Sequence, residues 1–170
     1  MEIVENNLAF IDGQNLHLGT TQNDWKIDHE KFRIYLRDKY LISEAYYFLG
    51  YISEKEQDLY NKLKKAGFIV LFKEHTSSLK AHKKGNVDTD IVFEIMKNLV
   101  DNQNFSKIIL ISGDGDYKKL VEYLIKKDKF KKILFPNRKF ASSLFFSLGG
   151  ESFGYLDEDD IKSKIEYIHK

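Results

Sequence analysis

The sequence contains no cysteine, and that absence removes disulfides, zinc–thiolate centres and thiol nucleophiles together. It fits a reducing compartment. One proline in 170 residues, with no linker and no low-complexity stretch, argues against disorder. No run of 18 apolar residues occurs, so no membrane partner is expected. The opening "MEIVENNLAFIDG" lacks the basic start and cleavage site of a signal peptide, and the expected location is cytoplasmic. The histidines, His17, His29, His75, His82 and His169, show no zinc spacing, and no Ser-His-Asp arrangement can be read. Neither a G-x-G-x-x-G fingerprint nor a Walker A sequence is present.

What is present is an ordinary globular composition, 42% apolar and 31% charged, of a length that suits one domain over residues 1–170. The net charge of +1 conceals an asymmetry. Lysines and arginines crowd the stretch from Lys118 to Lys139, a second basic group spans Lys73 to Lys84, and acids gather in "LDEDD" at 156–160. Such a split marks a polyanion-binding face, or simply solvated helix faces and loops.

Short continuous apolar runs alternate with helical patterns. Strands are expected at 7–11, 44–51, 68–73, 107–112 and 131–136, with a short one near "SFGYL". The run "FIVLFK" reads as a buried strand. Helices are expected at 28–39 behind Asp28, at 53–67 with a Ser53/Glu56 capping box and Gly67 as its stop, and at 87–102. Further helices are expected at 116–128, with Leu120, Tyr123 and Leu124 inward, at 141–149 and at 157–170. Unbroken apolar strands between helices predict an α/β fold, a three-layer α/β/α domain with a mainly parallel central sheet.

Ligands of such a sheet sit beyond the carboxyl ends of the strands, where strand order reverses. Asp12 ends the first strand, and Asp114 and Asp116 follow the strand "KIILIS". Asp88 opens a helix on the same side as Ile91 and Ile95. Asp90 lies about 200° further round, toward solvent, and Glu94 points to a different side from Asp88. Each acid has a plainer reading when taken singly: Asp12-Gly13 as a turn, Asp116 as a helix cap. Taken together they converge on one rim, where a divalent cation relieves their repulsion; oxygen donors without His or Cys favour Mg²⁺ or Mn²⁺. Asn15 can hold a carboxylate or a water, or cap a helix beginning at Leu16. Gly113 and Gly115 suggest a tight turn or positive φ.

"AFIDGQNL", "KGNVDTDIVFEIM" and "KIILISGDGDYKKLVEYL" resemble, in this order, the NYN domains of the LabA-like branch of the PIN-like nuclease superfamily. "ASSLFFSLGGESFGYLDEDDI" resembles that family's closing segment. The resemblance implies a PIN-like fold, an acidic Mg²⁺ or Mn²⁺ site and ribonuclease activity. It matches Asp12, Asp88, Asp114 and Asp116 to the family's acids, Asn15 to its amide, and Lys84 to the lysine before "GNVD".

The expected function is a metal-dependent endoribonuclease. Asp12, Asp88, Asp114 and Asp116 would hold the metal, and in-line attack by water would leave a 5′-phosphate and a 3′-hydroxyl. Lys83, Lys84, Lys118 and Lys119 are the expected phosphate contacts and Tyr117 the expected stacking ring, with RNA, single-stranded or structured, as partner. The rivals are a non-catalytic RNA-binding or regulatory module of the same fold and a phosphatase of small phosphoesters. A homodimer is open to the chain if "SLFFSLGG" leaves apolar surface exposed; the same segment reads equally as core.

Overall fold

The computed structural model describes residues 4–74, 87–102 and 104–169. Six strands form one sheet: β1 (Asn7–Asp12), β2 (Ile42–Tyr51), β3 (Ile69–Lys73), β4 (Ile108–Ile111), β5 (Phe130–Phe135) and β6 (Phe153–Tyr155). Their spatial order is β3-β2-β1-β4-β5-β6, and every pairing is parallel. The helices are α1 (Gly13–Thr21), α2 (His29–Tyr40), α3 (Gln57–Ala66), α4 (Asp88–Asp101), α5 (Lys118–Lys126) and α6 (Asp159–Ile165).

The central strands explain the unbroken apolar runs. In β1, Leu8 and Phe10 face one core while Ala9 and Ile11 face the other; in β4, Ile108 and Leu110 oppose Ile109 and Ile111. All eight are buried, because helices cover both sides of the sheet. Ile91 and Ile95 of α4 and Leu120, Val121 and Leu124 of α5 fill the first core. Leu16 of α1, Phe32 and Leu36 of α2, Leu63 of α3 and Ile165 of α6 fill the second. Strand order turns back between β1 and β4, and this switch point opens a crevice at their carboxyl ends.

Local signals were obeyed where they were strong. Asp28 caps α2 by accepting from the Lys31 N–H at 3.0 Å, and Gly67 ends α3 at φ +102°.

Elsewhere tertiary contacts prevailed. β3 is an edge strand with residues only partly covered, rather than a buried one. The Ser53/Glu56 box does not form: Glu54–Glu56 is a 3-10 turn, and the Ser53 N–H donates to the Tyr60 hydroxyl instead. On α5, Leu120 and Leu124 face inward as expected, but Val121 is buried in place of Tyr123, which is 41% exposed. Residues Ser143–Leu148 form a 3-10 helix rather than an α-helix, started by the Ser142 hydroxyl, which accepts from the Leu144 N–H. Helix α6 stops at Ile165 because the next residues pair with another part of the chain. The Asp28 N–H donates to the Ile165 carbonyl at 2.8 Å and the Tyr167 N–H to that of Lys26 at 2.8 Å. Among the described residues no helix is long and apolar enough to cross a membrane.

Candidate acidic site

The rim of the switch point is built from three pieces of chain. The end of β1 supplies Asp12, which caps α1 by accepting from the Asn15 N–H at 3.1 Å. The first turn of α4 supplies Asp88, where the helix dipole favours a carboxylate. The loop after β4 supplies Asp114 and Asp116. This loop is tightly folded: the Asp114 N–H donates to the Ser112 hydroxyl at 3.2 Å, and the Asp114 carboxylate accepts from the Asp116 N–H at 2.9 Å.

Asp88, Asp114 and Asp116 each offer a carboxylate oxygen, and these oxygens all lie within 4.8 Å of one another. Three hard oxygen donors so close repel one another unless a cation or protons intervene, and the set can bind a divalent metal. Asp116 is exposed and Asp88 and Asp114 half-buried, so the cluster opens to solvent. Asp116 therefore joins the acids and is not the helix cap; the cap of the turn that begins at Gly115 is Asp114.

Asp12 stands behind this group. It is 4% exposed, and its pKa is pushed up to about 6. Burial is the largest cause; the charges of Asp88 and Asp114 add to it, while the Asn15 N–H and the Tyr117 hydroxyl oppose it.

Tyr117 was expected to offer its ring to a base, and the structure corrects this. The ring is 1% exposed and belongs to the core under α5. Its hydroxyl sits between two acids, 2.8 Å from Asp88 Oδ1 and 3.3 Å from Asp12 Oδ2. Burial and both negative charges drive the phenol pKa upward, so it remains a donor. The signal was in the sequence: Tyr117 lies three residues before Leu120 and four before Val121, on their inward side.

Asn15 does not cap a helix, since α1 begins at Gly13 under the Asp12 cap. Its side-chain oxygen accepts from the Gly113 N–H at 2.8 Å and so ties the end of β1 to the acidic loop. Gly113 and Gly115 do not adopt positive φ. They are small because the chain after β5 lies against them: a Cβ on Gly115 would stand 2.7 Å from Ser142 Oγ and 2.8 Å from Leu144 Cδ1.

The remaining residues are dispersed. Lys118 pairs with Glu122 at 3.3 Å, and Lys119 is exposed on the first turn of α5. Lys83 and Lys84 lie outside the described residues, as do His75 and His82. Asp90 reaches Lys73 at 3.7 Å. Glu94 lines a shallow cavity with Asp90, Lys73 and Phe93 and is not one of the three clustered acids.

A single parallel sheet between two layers of helices, with carboxylates gathered at its switch point, defines a protein of the acid-site α/β type, the architecture of the PIN-like nuclease superfamily. Within it, residues 8–147 match the model of the NYN domain, and the chain belongs to that family. It is 25% identical over 166 residues to the Low amplitude and bright protein LabA of Synechococcus elongatus, a match that covers 92% of this chain and 86% of that protein. A crystal structure of a protein of unknown function from Vibrio parahaemolyticus shares the fold, with a TM-score of 0.71 at 22% identity, over 94% of this chain and 98% of that one.

Proposed function

We propose that the chain, acting as one NYN unit over residues 1–170, is a Mg²⁺- or Mn²⁺-dependent endoribonuclease. The observation that carries this reading is the set of carboxylate oxygens of Asp88, Asp114 and Asp116 within 4.8 Å of one another, beyond the strand ends of a NYN domain. A donor set of oxygens alone suits a hard divalent cation. When bound, that cation supplies charge neutralisation at the phosphodiester and activation of a water for in-line attack.

The protein's own part is to hold this arrangement against its internal repulsion. Asp88, Asp114 and Asp116 hold the cation. Asp12 adds negative charge behind them, and the Tyr117 hydroxyl keeps Asp88 in place. Asn15 pins the loop through the Gly113 N–H, so that Asp114 keeps its position relative to β1. Lys119 and Lys83, and Lys84 by resemblance, would meet the phosphate backbone.

The test is cleavage of a labelled single-stranded RNA with Mn²⁺ by wild type and by Asp114→Asn. Loss of cleavage in the variant, and in EDTA, supports the reading; equal cleavage by both proteins sinks it. RNA binding that survives EDTA, with no cleavage by the wild type under any metal, would instead make the chain a binding module of the same fold.

A further inference from the structure

The acidic rim has a second wall. After β5 the chain makes a 3-10 turn at Arg138–Phe140 and then the 3-10 helix Ser143–Leu148. This segment lies against the acidic loop. The Ser142 N–H donates to the Gly113 carbonyl at 3.2 Å, and a Cβ on Gly113 would stand 3.3 Å from the Phe140 carbonyl oxygen. Leu144 sits against Gly115, between the two aspartates of the loop.

The backbone of this wall is packed, yet its large side chains are not. Phe140 is 54% exposed and Leu144 is 51% exposed. Single exposed apolar residues need no explanation, but here the backbone of Phe140 and the side chain of Leu144 lie against one acidic loop, and a cation stands with the ring. The Lys139 ammonium lies 5.8 Å from the centre of the Phe140 ring. Lys119 is exposed on the first turn of α5, which follows the same loop. Arg138 pairs with Glu158 at 3.1 Å and covers Tyr155, so Lys139 carries the positive charge beside Phe140. An exposed ring beside a lysine, next to a site suited to phosphodiester chemistry, has the makings of single-strand recognition: the ring takes the face of a base and the cations take the backbone. A duplex keeps its base faces stacked on each other and offers the ring nothing.

We propose that Phe140 is the base-stacking platform for single-stranded RNA whose scissile phosphate lies at the acids, with Leu144 extending the apolar ledge and Lys139 and Lys119 forming its cationic edge. This rests on the ribonuclease reading. Phe140 acts as a positioning residue, holding the strand in register, and it takes over the role first expected of Tyr117.

The experiment measures fluorescence anisotropy of a short labelled single-stranded RNA, and of its duplex, in EDTA so that no cleavage intervenes. Phe140→Ala should weaken single-strand binding about tenfold, Phe140→Trp should restore it, and duplex binding should not change. The salt dependence should be unchanged in Phe140→Ala and shallower by about 0.7 in log–log slope in Lys139→Ala. Wild type that binds single strands no more tightly than Phe140→Ala overturns the platform and leaves the ribonuclease reading standing. Wild type that neither binds nor cleaves RNA overturns both. Light scattering in which Phe140→Ala dissociates a dimer, with RNA affinity unchanged, assigns the wall to a second copy of the chain and overturns the proposal. Phe140 is solvent-facing, and equal melting temperatures check that the variants fold.

Discussion

The Tyr117 hydroxyl donates to Asp88 across 2.8 Å, linking the turn that opens α5 to the start of α4 beneath the acidic rim. The same oxygen lies 3.3 Å from Asp12, yet a phenol has one proton to give. The phenol thus serves two carboxylates with one proton, while Asp12 also accepts from the Asn15 N–H. Carboxylate oxygens of Asp88, Asp114 and Asp116 crowd within 4.8 Å of one another at the rim, so the stability of the site and its affinity for cations are coupled.

Removing that donor tests the coupling. Tyr117→Phe keeps the buried ring and deletes only the hydroxyl. Without metal at pH 8 it should destabilise the fold by about 1–3 kcal/mol, as expected for a lost hydrogen bond to a charged group. Saturating Mn²⁺ should recover more stability in the variant than in wild type. Urea unfolding with and without Mn²⁺ measures both. A variant as stable as wild type without metal would show that the hydroxyl does not hold the acids.

Asp12 sets a pH dependence whose sign can be worked out. Its pKa rises from an ordinary 3.8 to about 6 in the fold. The folded chain therefore holds the proton more tightly than the unfolded chain. The stability this confers is present below pH 3.8, declines as pH rises, and is gone above about 6. The ionised carboxylate then costs on the order of 3 kcal/mol relative to the protonated form. In EDTA, Asp12→Asn should be more stable than wild type at pH 8, and the difference should shrink as pH falls from 6 toward 4. Chemical denaturation across that range is the check, and a constant difference would contradict the account.

Metal should stabilise the protein through the three clustered acids. At a hundredfold excess over Kd, Mn²⁺ would add about 2.7 kcal/mol, or about 5–10 °C in melting temperature. Asp88→Asn, Asp114→Asn and Asp116→Asn should each lose most of that rise, whereas Asp90→Asn, placed with Lys73, should keep it. Scanning calorimetry with and without Mn²⁺ decides between them.

Two glycines should differ in their tolerance of a methyl group. A Cβ on Gly13 would stand 2.6 Å from the Phe48 carbonyl oxygen, which is backbone, and 2.6 Å from the Tyr47 ring. Gly13→Ala should therefore cost about 1–3 kcal/mol or more. The neighbours of Gly115 are the tips of Ser142 and Leu144, which can move aside, so Gly115→Ala should cost less while displacing the second wall. Comparing denaturation midpoints tests the ranking.

Much of the sheet was legible because its central strands carry unbroken apolar runs, Leu8–Ile11 in β1 and Ile108–Ile111 in β4, a pattern that two covered faces require. Reading Asp12 and Asp114 as neighbours followed from that, since adjacent parallel strands present their ends at one rim. Tyr117 was misjudged because its nearness to the acids in sequence drew attention away from its helical phase. The partial burial of β3 was not legible either: an apolar run does not say whether one neighbour or two will flank it.

By itself the sequence determined the alternation of strands and helices, the two-sided core and the type of donor at the rim, because these depend on local periodicity and residue chemistry. Only the tertiary structure decided which acids stand together and which stands behind. It also placed the Tyr117 hydroxyl between Asp12 and Asp88, and it brought the chain after β5 onto Gly113 and Gly115. Those are distances between residues far apart in the chain, and they are set by how the helices settle on the sheet.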